Sequence, residues 1–107
     1  MRVLLDECVP RPFRRELPGH DVRTIQEMGW DGKKNGELLA LMAADGFEAL
    51  LTVDQNLRFQ QNLAASGVAV IVLVAASNRL TDLIPLAPAA LVALTSVRAG
   101  HVIEVRA

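Results

Sequence analysis

The stretch Arg2-Val-Leu-Leu-Asp-Glu-Cys8 decides the fold. Val3, Leu4 and Leu5 form a short continuous apolar run, the mark of a strand buried on both faces. Two carboxylates, Asp6 and Glu7, follow at once, and Pro10 and Pro12 then punctuate the chain. A buried strand that ends abruptly in acids places charge at the carboxyl edge of a sheet. In open α/β sheets that edge is where ligands bind.

A second stretch, Ala49-Leu-Leu-Thr-Val-Asp54, repeats the pattern of an apolar strand closed by Asp. Between the two, Pro12–Leu17 reads as a short helix with Pro near its start, stopped by Pro18-Gly19. His20–Ile25 reads as a weaker strand with alternating polar positions, as at a sheet edge. Gln26–Lys34 is loop-like. Asn35 is the expected cap of a helix carrying Leu38, Leu41, Met42 and Asp45, with Gly46 as its stop.

Beyond Asp54, Asn56 is the expected start of a helix to about Ala65, with Leu57 and Leu63 inward and Gly67 as the stop. Val68–Val74 is the longest apolar run and the expected centre of the sheet. Ser77-Asn78 opens a segment interrupted by Pro85 and Pro88. Pro88 suits the first turn of a helix with Leu91, Leu94 and Val97 inward, ending at Gly100. His101–Val105 alternates and reads as a half-exposed edge strand.

Strands alternating with helices over short connections predict an α/β fold with a mostly parallel five-stranded sheet, helices on both faces and right-handed crossovers. The expected strand order is 2-1-3-4-5. The two strands that end in Asp then lie side by side at the topological switch point.

Length and composition agree. One domain over residues 1–107 is expected, 51% hydrophobic and 21% charged, with an aliphatic core because aromatics are only 4%. The net charge of −1 gives no general attraction for nucleic acid and leaves only local basic patches to provide it. The single cysteine, Cys8, excludes an internal disulfide and a Cys-rich zinc site. No apolar run approaches the roughly 18 residues of a membrane helix. A cytoplasmic protein is expected.

Three acids from distant parts of the sequence, Asp6, Glu37 and Asp54, are expected at one sheet edge, Glu37 from the first turn of the helix after the second strand. Hard cations such as Mg²⁺ and Mn²⁺ take such oxygen ligands. A bound cation of this kind assists phosphodiester hydrolysis. Each acid also has a plain structural reading: Asp6 and Asp54 as turn formers, Glu37 as a favourable first-turn charge. Arg11, Lys33, Lys34, Arg58 and Arg79 fall at or before helix starts, on the same rim. There they either meet a ligand phosphate or balance the acids in solvent. Ser77 and Asn78 lie beyond the fourth strand, placed to position a ligand or to cap a helix. Arg14 and Arg15 read as an exposed helix face, Cys8 as a small buried residue, and Trp30 as a cover for core. His20 and His101 open strands and belong to the opposite edge.

Leu4-Leu-Asp-Glu7, Gly19-His-Asp21 and Leu51-Thr-Val-Asp54 resemble the short bacterial PIN-like proteins, relatives of PIN-domain ribonucleases. Lys34-Asn-Gly-Glu-Leu-Leu39 and Thr52-Val-Asp-Gln-Asn-Leu57 extend the likeness over nearly the whole chain. The resemblance implies a Mg²⁺- or Mn²⁺-dependent endoribonuclease with Asp6 and Asp54 as metal-site aspartates. It also implies an RNA substrate and, as for many such toxins, a partner antitoxin. The chain departs from the family where Asn35 stands in place of the central acid, leaving Glu37 nearest. It departs again beyond the fourth strand, where Ser77 and Asn78 occupy the region of a fourth acid.

Two other readings compete. One is a catalytically reduced module that binds RNA or a protein partner, with homodimerisation through the last strand as a further option. The other is a receiver-like phosphoacceptor, imitated by Asp6-Glu7, Asp54 and Ser77. A receiver needs a Lys after its last strand, where this chain has Arg106-Ala107.

Overall fold

The computed structural model describes residues 1–56, 63 and 65–106. Five strands form one sheet: β1 (Arg2–Leu5), β2 (Asp21–Thr24), β3 (Ala49–Thr52), β4 (Ala69–Val74) and β5 (Val102–Arg106). Their order is β2-β1-β3-β4-β5, and every pair is parallel. The expected strand order is therefore observed.

The apolar runs are continuous because each strand serves two faces. Val3, Leu5, Ala49, Leu51, Ala69, Ile71 and Leu73 face one core, with Phe13, Leu83, Ala90 and Leu94 above them. Leu4, Leu50, Val70 and Val72 face the other, against Ile25, Leu38, Leu39, Met42 and Phe47. Strand residues alternate sides, so a buried parallel sheet needs apolar side chains at successive positions. Trp30 joins the second core, its ring 5.7 Å from Phe47 at 70°, an edge-to-face pair.

The covering helices are α1 (Ile25–Met28), α2 (Asn35–Ala44), α3 (Leu80–Leu83) and α4 (Ala87–Ser96). The short helix expected over Pro12–Leu17 is a 3-10 helix, Arg11–Glu16. Pro10 and Pro12 bring no amide donors, and Pro18 biases Leu17 away from helical backbone. The segment therefore closes on i→i−3 bonds, Phe13 N to Pro10 O at 3.0 Å and Leu17 N to Arg14 O at 3.1 Å.

Helix α1 corrects the reading of Gln26–Lys34 as loop throughout. Thr24 Oγ1 accepts from Glu27 N at 3.1 Å, and Glu27 Oε1 accepts from Thr24 N at 2.9 Å. This reciprocal capping box starts the helix. Gly29, at φ 72, ends it in a left-handed conformation that a side chain would disfavour.

At α2 the cap is Lys34, and Asn35 is the first helical residue. Leu38, Leu39 and Met42 are buried and Leu41 only partly so. The second half of the chain is more continuous than its prolines suggested. Ile84–Leu86 forms a 3-10 turn between α3 and α4, and the joining residues stay helical. Both prolines sit in opening turns, where no amide donor is needed. Helix α4 stops at Ser96, before Gly100, because Val97 turns extended. Most of the helix expected over Asn56–Ala65 lies outside the described residues. Leu63 is buried, as expected. Among the described residues no helix is long and apolar enough to cross a membrane.

The capping box sets a measurable pH response. The Thr24 amide, and after it the Arg14 guanidinium, hold the Glu27 carboxyl down from 4.5 to about 2. A depressed carboxylate contributes stability above its unfolded value, and that stability is lost as pH falls through the folded one. The Glu27 side chain is 31% exposed, so solvent screens the effect to about 1 kcal/mol or less. Glu27→Gln is expected to melt below wild type at pH 7, with the gap closing between pH 4.5 and 2. A gap independent of pH would contradict the charge-based cause.

Candidate functional site

The parallel register sets Leu5 beside Leu51, so Asp6 and Thr52 follow as neighbours at the carboxyl edge. Asp6 N donates to Leu51 O at 2.9 Å, which continues the ladder one residue past β1. Thr52 is fully buried. A buried hydroxyl must find partners, and this one finds two strongly. Its Oγ1 donates to Asp6 Oδ2 at 2.7 Å and accepts from Asp54 N at 3.0 Å. The two strand-end aspartates are thus tied through a single atom at the switch point between β1 and β3.

Each aspartate is also locked by a local turn. Asp6 Oδ1 accepts from Glu7 N at 2.8 Å. Asp54 Oδ1 accepts from Asn56 N at 2.9 Å, an Asx turn. Both carboxylates are half-buried and keep lone pairs for a further partner. The thiol of Cys8 completes the cluster, 3.6 Å from Thr52 Oγ1 and accepting from Val53 N at 3.5 Å. Burial pushes this thiol up from its ordinary value, and the Asp6 charge adds to the rise. It is a packing group and a poor nucleophile at neutral pH.

Glu37 lies in the first turn of α2 as expected. It is 56% exposed and pairs with Lys33 at 3.0 Å. An exposed i,i+4 pair of this kind is worth only about 0.3–0.5 kcal/mol, so it holds Glu37 weakly. Among the described residues, no group of three or more His, Cys, Asp and Glu side chains is gathered so as to hold a metal ion. The chain joins Asp6 to Asp54 and leaves Glu37 with Lys33.

Glu7 turns away from Asp6 and accepts from Gly32 N at 2.7 Å. It thereby ties the loop after α1 to the site edge. Glu7 also lines a cleft of about 410 Å³ with Val9, Pro10, Arg11, Thr24, Gln26 and Glu27. Arg11 is 72% exposed and 4.0 Å from Glu27. Lys34 is exposed beside Lys33, and Arg58 lies outside the described residues.

On the far side, Asn78 Nδ2 donates to Cys8 O at 3.1 Å. That bond draws the loop after β4 over the end of β3 toward the loop after β1. Ser77 Oγ accepts from Arg79 N at 3.1 Å and donates to Asp82 Oδ2 at 2.5 Å. An acid does follow the fourth strand: it is Asp82, in the first turn of α3, and sequence reading missed it. Its signal was an acid five residues beyond Ser77 at the head of a helix. Thr52 was also missed as a site residue. Its signal was a lone hydroxyl in an otherwise apolar buried strand.

Thr52→Val keeps the shape and removes the hydroxyl. It leaves an Asp6 oxygen and the Asp54 amide short of a partner, at an expected cost of about 1–3 kcal/mol. Chemical denaturation measures this. A loss below 0.5 kcal/mol, on the order of an ordinary surface change, would show that the hydroxyl does not organise the edge.

No protein-family model, curated protein or solved structure matches the chain.

Proposed function

We propose that this chain is a Mg²⁺- or Mn²⁺-dependent ribonuclease with Asp6 and Asp54 as its metal ligands. The observation that carries the reading is the Thr52 hydroxyl, which bonds the Asp6 carboxylate and the Asp54 backbone amide across neighbouring strand ends. The donor set suits the ion: hard cations of this size are commonly held by one or two carboxylates, with water and substrate phosphate completing the shell. When bound, such an ion lowers the pKa of a water and offsets charge on a phosphoryl group.

The chain's own residues supply the surroundings. Thr52 and the two turns hold the carboxylates rigid before any ligand arrives. Lys33, Lys34, Arg11 and Arg79 offer cations to an RNA backbone from the flanking loops. Glu37, held only by its exposed pair with Lys33, is the acid we propose could exchange that lysine for a cation. A toxin role with an antitoxin partner in the cytoplasm accords with this reading and rests on the resemblance to PIN-like proteins.

A second reading has its own support. Glu37 pairs with Lys33, and no three-acid group stands among the described residues. A reduced module would bind RNA or a protein at this edge without turnover.

Calorimetry with Mn²⁺ and cleavage of a mixed single-stranded RNA separate the two. Wild type is expected to bind the ion and cleave. Asp6→Asn and Asp54→Asn are expected to lose binding and to slow cleavage about a hundredfold or more, with folding retained. Binding without cleavage selects the reduced module. Undiminished cleavage by Asp6→Asn overturns the metal-site assignment.

A further inference from the structure

The 3-10 helix Arg11–Glu16 gathers cations in a chain whose net charge is −1. Arg11, Arg14 and Arg15, together with Pro12, line a hollow of about 410 Å³. That is the size of a small-ligand pocket, roughly 300–1,000 Å³. Among the described residues no acid lines it.

The helix that carries the arginines is anchored. Phe13 and Leu17 are buried in the core beneath it, and Pro10 and Pro12 stiffen its entry. Arg14 is fixed as well: its Nη2 donates to Glu27 Oε1 at 2.7 Å and its Nη1 to the Val22 carbonyl at 3.5 Å. A guanidinium has five N–H donors, so Arg14 keeps others for a ligand. Arg11 is largely exposed and reaches Glu27 only at 4.0 Å. Arg15 is exposed, with no ion pair or hydrogen-bond partner among the described residues. Glu27 is the acid bonded to this group, one negative charge against three positive ones.

Three guanidinium forks around one hollow call for an anion with oxygens on several sides. A tetrahedral phosphate provides them, whereas a planar carboxylate offers one edge. We propose that Arg11, Arg14 and Arg15 form a phosphate-binding site. The phosphate can belong to an RNA strand or to a free phosphorylated molecule. Arg11 also lines the cleft that reaches Glu7, next to Asp6, so a strand held here leads toward the aspartate edge. The site needs neither a metal nor turnover, and it stands or falls apart from the nuclease reading.

Titration with inorganic phosphate in EDTA, at constant ionic strength, tests it through the arginine Nε–Hε signals of a nitrogen–proton spectrum. Wild type is expected to show saturable shifts of Arg11, Arg14 and Arg15 on one curve, with Arg98 and Arg106 unmoved. Arg15→Gln removes an exposed, unpaired charge. It should weaken binding about threefold at an unchanged melting temperature, and the double variant Arg11→Gln, Arg15→Gln about tenfold. Shifts that never saturate, that spread evenly over every arginine, or that Arg15→Gln leaves unchanged overturn the site. Fluorescence anisotropy with a mixed single-stranded RNA in EDTA identifies the source. A salt slope reduced by about 0.7 for each arginine removed assigns the phosphate to an RNA backbone. RNA binding indifferent to both variants, beside saturable phosphate binding, keeps the site and assigns it to a small phosphorylated molecule.

Discussion

The hydrogen bonds of one buried hydroxyl, Thr52 Oγ1, organise the acidic carboxyl edge of β1 and β3. The central strands β1, β3 and β4 are apolar because both faces are covered, and the acids next to them stand where those strands begin or stop. At that edge the parallel register fixes which residues meet. Leu5 stands beside Leu51, so Asp6 meets Thr52, and Thr52 in turn holds the Asp54 amide. Without the hydroxyl, two half-buried carboxylates would hang from separate loops. With it, the Asp6 carboxylate and the Asp54 backbone are tied to one atom at the end of the sheet.

The edge is surrounded by ties that run between loops. Glu7 reaches Gly32, Asn78 reaches the Cys8 carbonyl, and Ser77 holds Asp82. Each bond links a segment after one strand to a segment distant in sequence or to the helix that follows. Loops carry function when a rigid scaffold positions them, and here the positioning comes from side chains in the loops themselves. The opposite edge uses different chemistry. Arg2 bonds Asp21 at 3.3 Å and Asp45 at 2.6 Å, and stacks over Phe47 at 4.3 Å. It fastens the start of β1 to the start of β2 and to the connection between α2 and β3, away from the carboxyl-edge cluster.

Much of this was legible from the residues. Val3-Leu-Leu5, Leu50-Leu51 and the run to Val74 read as buried strands, the alternation of elements implied a parallel sheet, and the favoured order 2-1-3-4-5 is the one observed. The placement of Asp6 and Asp54 followed from that order. The finer features were hidden for physical reasons. Thr24 and Glu27 form a capping box over only four residues, too short to show helical periodicity. Asp82 looked like part of a proline-broken segment, whereas Pro85 and Pro88 sit where helices need no amide. Glu37 reached the expected helix turn, but its partner, Lys33, was set by local i,i+4 geometry that a count of acids does not reveal.

The central claim is that Asp6 and Asp54 form one cation site at the switch point. Paramagnetic broadening by Mn²⁺ in a nitrogen–proton correlation spectrum tests it most directly. At substoichiometric Mn²⁺, the expected result is selective loss of amide signals around residues 6–8 and 52–56, relieved in Asp54→Asn. Broadening centred instead on the exposed acids at the amino edge, Asp21 and Asp45, or spread evenly over the surface, would contradict the claim.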